Sequence, residues 1–265
     1  MSMIDRFNLD GQVVLVTGGT SRYGRPLVRD IAACGGTVIT TSRDIESAEK
    51  IAEEEQQQGR DVNAAQLELG NSDSISDLCR FVEKKYSQID GLVNNAVSRP
   101  MSHLYDDIET WDASMSRNAT GTFELTRWAA SQMSEFNGGS IVNIGSIYGM
   151  VGPNKHLYEG TKLNSEYEHQ SSPDYYFHNA GMINLSKYFA SEFGSQDIRV
   201  NCVSPGGFFE EDLDSRFVEK YEQQTMLGRM ATGEDLSGVV VFLLSDAARY
   251  VTGTNIPVDG GFTSK

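Results

Sequence analysis

The chain has 265 residues, a formal net charge of −15 at pH 7 and three cysteines, Cys34, Cys79 and Cys202. Its length suits one large α/β domain, and its negative charge excludes polyanionic partners such as nucleic acid or an anionic membrane. The cysteines lack metal-ligand spacing, so they predict reduced thiols in a cytoplasmic protein with no metal site.

Strands and helices are predicted to alternate along the chain. The opening residues MSMIDRFNLDGQ lack a signal-peptide pattern, and no run is long and apolar enough to span a bilayer. The strand candidates are short β-branched runs: Val13–Val16, Thr37–Thr41, Ala64–Leu69, Gly91–Val93, Ser140–Ile144, Ile198–Val203 and Thr254–Val258. The helix candidates are longer amphipathic segments: Pro26–Ala33, Glu46–Gln57, Ser74–Tyr86, Thr110–Phe136, Tyr175–Phe193 and Gly233–Leu244. This alternation predicts an α/β fold with a doubly wound parallel sheet and helices on both faces, in a single domain over residues 1–265.

Two stretches interrupt this alternation. Met150–Asp174 is polar and rich in Gly, Pro, Asn and Ser, and Gly206–Leu227 is acidic and follows a Pro-Gly pair. Irregular insertions of this length in a compact domain are usually functional or disordered. Both follow strands, where open α/β sheets bind ligands, so we predict that they form substrate loops.

The first strand, VVLVTG, runs into a glycine-bearing loop and a helix start, GTSRYGRPLV. Loop glycines let a pyrophosphate approach the backbone, and the helix N-terminus offers free N–H groups and the positive end of the helix dipole. The stretch therefore predicts a nucleotide site, although an ordinary strand-to-helix turn has the same pattern.

Six stretches follow one another along the chain: VTGGTSRYG, GLVNNA, RNATGTF, GSIVNIGS, IRVNCVSPGG and SDAARYVTGTNIPVDGGF. Their residues and order resemble the short-chain dehydrogenase/reductase family over almost the whole chain. The resemblance implies a Rossmann fold and an NAD(P)-dependent oxidoreductase. Two further stretches, LYEGTKLN and LSKYFASEFGSQDIRVNCVSPGG, resemble a subgroup that is tied to bacterial surface-sugar and flagellin glycan modification.

The resemblance also implies which residues contact the dinucleotide. They are Gly18, Thr20, Ser21, Arg22, Tyr23, Gly24, Ser42, Arg43, Glu68, Leu69, Asn95, Ala96, Tyr175, Asn179, Pro205, Gly206 and Phe208. Arg22 stands where the family has its middle glycine, and its guanidinium either pairs with a phosphate or points to solvent. Val97 stands where the family usually has a final glycine after Asn-Asn-Ala.

The end of the second strand bears on the choice of dinucleotide. NAD-binding relatives carry an acidic residue there for the ribose hydroxyls, and this chain has Ser42 followed by Arg43. A carboxylate would repel a 2′-phosphate, whereas serine and arginine would attract it. NADP(H) is therefore favoured, and NAD(H) remains possible because Asp44 is close.

Hydride transfer at a hydroxyl or carbonyl carbon needs an acid/base for the oxygen's proton. In the family a tyrosine fills this role, a lysine one helical turn on lowers its phenol pKa, a serine steadies the substrate oxygen and an asparagine anchors a relay water. Ser146 and Asn118 match the serine and the asparagine. Two tyrosines match the acid/base: one begins Tyr158–Lys162, with the expected spacing to a lysine, and the other begins Tyr175–Asn179.

The helix pattern favours Tyr175 over Tyr158. The family's tyrosine lies on a long helix that ends just before the strand matched here by IRVNCVSP. A helix from Tyr175 reaches Phe193 without a proline, whereas one from Tyr158 would cross a Ser-Ser-Pro breaker. We therefore assign the catalytic place to Tyr175 and place Tyr158 in the inserted loop.

This assignment leaves Asn179 at the lysine position. A neutral amide cannot lower a phenol pKa by charge, although it can bond a ribose hydroxyl. Three alternatives remain: Lys162 folds back from the insertion, His178 contributes, or the activity is weak or lost.

Two functions follow from these observations. The leading hypothesis is an NAD(P)-dependent oxidoreductase for a polar, sugar-like alcohol or carbonyl, because the first insertion carries polar residues: Asn154, Lys155, His156, Glu159, Lys162 and Asn164. The alternative is a catalytically impaired relative that binds dinucleotide as a partner subunit or sensor. The C-terminal YVTGTNIPVDGGF resembles a segment that packs between subunits, and it predicts a homotetramer or homodimer.

Overall fold

Seven strands form one parallel sheet in a computed structural model that describes residues 2–161 and 172–265. The strands are β1 (Val13–Val16), β2 (Thr37–Ser42), β3 (Val62–Gln66), β4 (Gly91–Asn94), β5 (Gly139–Ile144), β6 (Ile198–Pro205) and β7 (Asn255–Val258). Their order across the sheet is β3-β2-β1-β4-β5-β6-β7, and every neighbouring pair is parallel. The predicted doubly wound parallel sheet is therefore confirmed.

Helices cover both faces of this sheet. They are α1 (Gly24–Ala33), α2 (Ile45–Gln56), α3 (Ser72–Tyr86), α4 (Ile108–Ser114), α5 (Thr122–Phe136), α6 (Pro173–Phe193), α7 (Ser215–Gln224) and α8 (Gly233–Leu244). Val14 and Val16 join a core with α1, α2 and α8, whereas Leu15 joins a second core with α3, α5 and α6. Successive strand residues point to opposite faces, so β1 is apolar throughout and is buried on both sides. None of the described helices is long and apolar enough to cross a membrane.

The order of the strands creates a crevice at one edge of the sheet. β1 lies between β2 and β4, so the chain winds away from β1 in one direction and later returns to its other side. The loops that follow β1 and β4 therefore diverge at their carboxyl ends. Open α/β sheets bind ligands at this switch point.

The predicted helix Thr110–Phe136 is interrupted by a π-helical segment, Met115–Gly121, between α4 and α5. A Cβ on Gly121 would clash with the carbonyl oxygen of Leu69, so glycine allows the segment to pass close to the loop after β3. A single inserted residue does not change the apolar periodicity enough to be read from the sequence. Such π segments are frequent at functional sites.

The prediction that Gly206–Leu227 is irregular throughout is wrong, because α7 lies within it. The Asp214 carboxylate caps this helix by accepting bonds from the backbone N–H groups of Arg216 and Phe217, at 2.9 and 3.4 Å. Phe217 and Tyr221, one turn apart, are its buried side chains. A stripe of two apolar residues in an acidic segment is too narrow to predict a helix.

The other insertion is described only in part. Its described residues before position 162 include one 3₁₀ turn, Lys155–Leu157. Lys162 and Asn164 lie outside the described residues. The long helix that follows begins two residues before the predicted Tyr175, because Pro173 fits the first turn of a helix, where its missing N–H is not needed.

Candidate active site

A cleft of about 1080 Å³ opens at the carboxyl ends of β1, β4, β5 and β6. Every residue that the sequence assigns to the cofactor or to catalysis lines this cleft, except Gly24. Gly24 begins α1, and a Cβ there would clash with the carbonyl oxygen of Gly18. Gly24 therefore shapes the cleft indirectly, because it lets α1 approach the preceding loop.

The loop after β1 is held against the end of β4. Gly18 has a φ of +64°, and a Cβ there would lie 2.9 Å from the Cα of Ala96. The Asn95 amide donates to the carbonyl oxygens of Thr17 and Gly18, both at 2.9 Å, and to the Ser21 hydroxyl at 3.1 Å. Glycine at position 18 leaves bare backbone in the cleft, which fits the close approach of a dinucleotide pyrophosphate.

Two side chains of the same loop reach across the cleft. The Arg22 guanidinium pairs with the Glu210 carboxylate at 2.6 Å, while the Arg22 side chain remains 65% exposed. The Tyr23 hydroxyl donates to the carbonyl oxygen of Gly206 at 2.9 Å, and its ring meets that of Phe208 edge-on at 4.9 Å. Burial raises the pKa of Tyr23, so its hydroxyl stays a donor. The glycine loop is thereby joined to the segment that follows β6.

The end of β2 carries the predicted discriminator between NADP and NAD. Arg43 is exposed, lines the cleft and forms no ion pair within residues 2–161 and 172–265. The Asp44 carboxylate does not line the cleft, because it caps α2 by accepting a bond from the N–H of Glu46 at 3.2 Å. Glu68 and Leu69 follow β3 and border the same end of the cleft.

The four predicted catalytic positions meet at the opposite end of the cleft. Tyr175 is the third residue of α6, and Ser146 follows β5, where its hydroxyl accepts a bond from the N–H of Tyr148 at 3.2 Å. Asn118 lies in the π-helical segment and is 1% exposed. Asn179, 2% exposed, donates its amide to the carbonyl oxygen of Tyr175 at 2.7 Å.

The side chain of Asn118 forms hydrogen bonds to the backbone of a neighbouring loop. Its oxygen accepts from the N–H of Ser98 at 2.8 Å, and its amide donates to the carbonyl oxygen of Ser98 at 2.7 Å and to the Ser114 hydroxyl at 3.0 Å. Ser114 in turn donates to the carboxylate of Asp174 at 2.6 Å. Asp174 is fully buried, and its second oxygen has no partner in the described part of the chain.

Sequence reasoning missed several aromatic and charged residues around Tyr175. The Arg99 guanidinium carbon lies 3.8 Å from the centroid of the Tyr175 ring, and the Tyr148 ring meets Tyr175 edge-on at 6.4 Å. Tyr158 lies in the first insertion as predicted, but it is 3% exposed and lines the cleft, with its hydroxyl 3.4 Å from that of Tyr148. Arg99 follows the Asn-Asn-Ala stretch in a segment without periodicity, so no sequence signal links it to Tyr175.

The structure bears on one proposed replacement for the missing lysine. His178 is buried, and desolvation lowers its pKa to about 4, although the nearby Asp174 opposes this effect. Its imidazole is therefore neutral near pH 7 and brings no positive charge to Tyr175. The alternative that uses Lys162 lies outside the described residues. Within those residues, no cluster of three or more His, Cys, Asp or Glu side chains is arranged to hold a metal ion.

Residues 12–221 match the sequence model of a family described as short chain dehydrogenase. A 3-oxoacyl-[acyl-carrier-protein] reductase from Aquifex aeolicus is 34% identical over 263 residues, which cover 96% of this chain and 98% of that protein. A 7alpha-hydroxysteroid dehydrogenase from Bacteroides fragilis is 32% identical over 264 residues, with 96% and 95% covered. Among solved structures, a gluconate 5-dehydrogenase from Burkholderia cenocepacia J2315 in complex with NADP and tartrate has a TM-score of 0.88, 26% identity and full coverage of both chains.

Proposed function

The chain belongs to the short-chain dehydrogenase family and is an NAD(P)-dependent oxidoreductase, and from this premise we propose that it uses NADP(H) to interconvert a polar, sugar-like alcohol and its carbonyl. The observation that carries the proposal is the single cleft that holds the glycine loop, Arg43, Ser146 and Tyr175 together. Each of these residues supplies one requirement of the reaction, in binding, in cofactor choice or in proton transfer.

NADP(H) is supported by the charges at the end of β2. Arg43 has its guanidinium free of ion pairs with the described residues, and the carboxylate of the next residue, Asp44, is engaged in capping α2. A 2′-phosphate would gain a charge-assisted hydrogen bond from Arg43. The similar gluconate 5-dehydrogenase was solved with NADP.

Proton transfer is assigned to Tyr175. When bound, the nicotinamide ring supplies or accepts the hydride. The phenol of Tyr175 gives a proton to the substrate oxygen in reduction and takes it back in oxidation, and Ser146 donates a hydrogen bond to the same oxygen. Asn118 holds the loop at Ser98, which forms the neighbouring wall.

A polar substrate is supported by charged groups on the cleft wall, among them Arg117 and Asp212, and by the likeness to a gluconate 5-dehydrogenase. A role in surface-sugar or flagellin glycan modification belongs to the same proposal. A second candidate substrate is a 3-oxoacyl thioester, of the class named for the curated relatives. It is favoured by the apolar wall that Leu213, Phe217 and Met230 form beside α7.

The experiment is a rate series with NADPH over keto-sugars, keto-acids and a 3-oxoacyl thioester, using the parent, Tyr175→Phe and Tyr158→Phe. Loss of a general acid costs about 10²- to 10⁴-fold, so Tyr175→Phe is expected to lose nearly all turnover. Tyr158→Phe is expected to keep most of it, since its hydroxyl meets Tyr148 instead of Tyr175.

A reversed result, with Tyr158→Phe inactive and Tyr175→Phe active, would move the acid/base to the first insertion. Turnover of the thioester alone would establish the second candidate substrate. A parent that binds NADPH but turns over no substrate would favour the alternative of a dinucleotide-binding partner subunit or sensor.

Assembly and location belong to the proposal as well. Phe177 and Tyr188 on α6 are 60% and 59% exposed, which supports burial against a second copy in a homodimer or homotetramer. Light scattering at micromolar concentration tests this, and a monomeric mass would contradict it. The three free thiols support a cytoplasmic location.

A further inference from the structure

We propose that Arg99 supplies the positive charge that Asn179 cannot, by stacking its guanidinium on the face of the Tyr175 ring. The inference rests on the proposed role of Tyr175 as acid/base. The guanidinium carbon lies 3.8 Å from the ring centroid, within the range of a cation–π contact. Arg99 is thus a positioning residue that acts through Tyr175 and not on the substrate directly.

An arginine is suited to this task because its guanidinium stays charged at every working pH. In reduction, the substrate carbonyl carbon gains a hydride from NADPH and its oxygen takes the phenol proton, which leaves Tyr175 as a tyrosinate that water later reprotonates. A tyrosinate ring is richer in electrons than a tyrosine ring, so a cation on its face is held more tightly after proton loss. The contact therefore favours the ionised form.

Other groups around Tyr175 do not offer this charge. Asn179 is neutral and its amide bonds the Tyr175 carbonyl oxygen, and His178, with a pKa of about 4, is neutral as well. Tyr148 packs edge-on from the turn after β5. Tyr23, across the cleft, has its pKa raised by burial and stays neutral.

The remaining charges near Tyr175 have separate partners or work against ionisation. The neighbouring Asp174 accepts a bond from Ser114, and a negative charge there would oppose formation of a tyrosinate. The Glu210 carboxylate on the cleft wall pairs with Arg22. Arg99 itself has no carboxylate partner among the described residues, so its charge is not compensated by an acidic side chain there.

The backbone around Arg99 is fixed on both sides. Asn118 bonds both the N–H and the carbonyl oxygen of the preceding residue, Ser98, at 2.8 and 2.7 Å. Pro100 follows Arg99 and restricts its backbone to extended conformations. The Arg99 side chain therefore projects toward the cleft from a constrained backbone position. This arrangement gives Asn118 an indirect role in the same contact.

The test is a pH–rate series on Arg99→Gln, Arg99→Lys, Asn179→Lys and the double variant Arg99→Gln/Asn179→Lys. An opposite charge within about 4–6 Å shifts a titration by about 1–3 pH units. Because Arg99 is exposed to solvent, we expect a shift at the lower end of this range. Arg99→Gln is expected to move the rising limb of the rate up by about one pH unit, and Arg99→Lys to recover part of that shift.

The double variant separates charge from packing. Asn179→Lys alone adds a second cation beside Tyr175 and is expected to move the rising limb of the rate to lower pH. In the Arg99→Gln background the same substitution is expected to bring the limb back toward the parent's, because one cation then replaces the other. Arg127→Gln is the matched control, since Arg127 lies 5.5 Å from the Phe123 ring outside the cleft. An Arg99→Gln profile that overlays the parent's while only KM rises would overturn the proposal and make Arg99 a substrate ligand. If Lys162→Ala moves the rising limb of the rate and Arg99→Gln does not, the positive charge comes from the first insertion.

A second readout does not depend on turnover. Ultraviolet titration follows tyrosinate formation, and the component lost in Tyr175→Phe reports on this residue alone. Its midpoint is expected to rise by about one pH unit in Arg99→Gln. An unchanged midpoint would refute the role of Arg99 even in an active enzyme, whereas a shifted midpoint in a protein without turnover would retain that role and refute only the proposed function.

Discussion

At the scale of single residues, Arg43 decides the expected choice of dinucleotide. Arg43→Ala removes a guanidinium that has no carboxylate partner among the described residues and lines the cleft. A charge-assisted hydrogen bond contributes about 1.5–3 kcal/mol, so NADPH affinity is expected to fall by about tenfold or more, while NADH affinity stays within about twofold. Calorimetric titration with both dinucleotides measures this.

Arg80→Ala is a suitable control for the loss of charge, because Arg80 pairs with Asp77 on α3 outside the cleft. Tighter binding of NADH by the parent would contradict the preference for NADP(H). If Arg43→Ala lowers the affinities for NADPH and NADH equally, Arg43 supports the shape of the loop instead.

The residues that could be predicted are those that a motif fixes in place. The resemblance to the family implied Ser146 and Asn118, the helix pattern selected Tyr175, and all three line one cleft. Arg99 could not be predicted in the same way, because its contact with Tyr175 joins a loop to a helix that is far from it in the sequence. A contact of this kind depends on the final packing of the elements and leaves no local pattern.

At the scale of elements, the pair Arg22–Glu210 links the glycine loop to the segment before α7. A cofactor phosphate would compete with Glu210 for the Arg22 guanidinium. Glu210→Gln removes the competing charge, so NADPH is expected to bind up to about fivefold more tightly, because an exposed ion pair contributes about 0–1 kcal/mol. Stopped-flow fluorescence and calorimetry measure the rate and the affinity of binding.

Glu211→Gln is the matched control, since it changes the net charge equally at an exposed neighbour that does not line the cleft. If both variants bind NADPH more tightly to the same extent, the effect comes from the overall charge of the protein. Weaker binding in Glu210→Gln alone would mean that the pair holds the cleft in its binding shape.

The elements themselves differ in how far their sequences predict them. β1 was predicted residue for residue, because Val13–Val16 is a pure β-branched and leucine run bounded by polar residues. α7 was missed because only Phe217 and Tyr221 are buried on it. The π-helical segment was missed because one extra residue per turn shifts the apolar pattern by too little to be seen.

At the scale of the whole molecule, the alternation of strand and helix candidates along the chain predicts the parallel sheet. It does not predict the order of the strands. The sequence does not say that β4 returns to lie beside β1, although that neighbour relation creates the cleft. Loops from β1, β2, β4, β5 and β6 meet there only after this return. The resemblance to a known family implied a Rossmann fold, and the structure supplies the strand order.

The stability of the whole fold is expected to fall in acid because of one buried histidine. Burial lowers the pKa of His178 from 6.5 to about 4. Above pH 6.5 neither the folded nor the unfolded state binds a proton at His178, so this residue does not lower the free energy of unfolding there. As the pH falls through 6.5 the unfolded chain takes up the proton first, and the loss of stability is complete below about pH 4, at about 3 kcal/mol.

Urea unfolding of the parent and of His178→Gln at about pH 7.5 and about pH 5, at fixed protein concentration, tests this expectation. Between these two conditions the parent is expected to lose about 2 kcal/mol more of its free energy of unfolding than His178→Gln does. The comparison uses the difference between pH values, so a constant cost of the substitution cancels. His156→Gln, at a position whose side chain is 85% exposed, should follow the parent. Equal acid losses in the parent and in His178→Gln would mean that other groups govern the acid sensitivity and that His178 is protonated in the folded state.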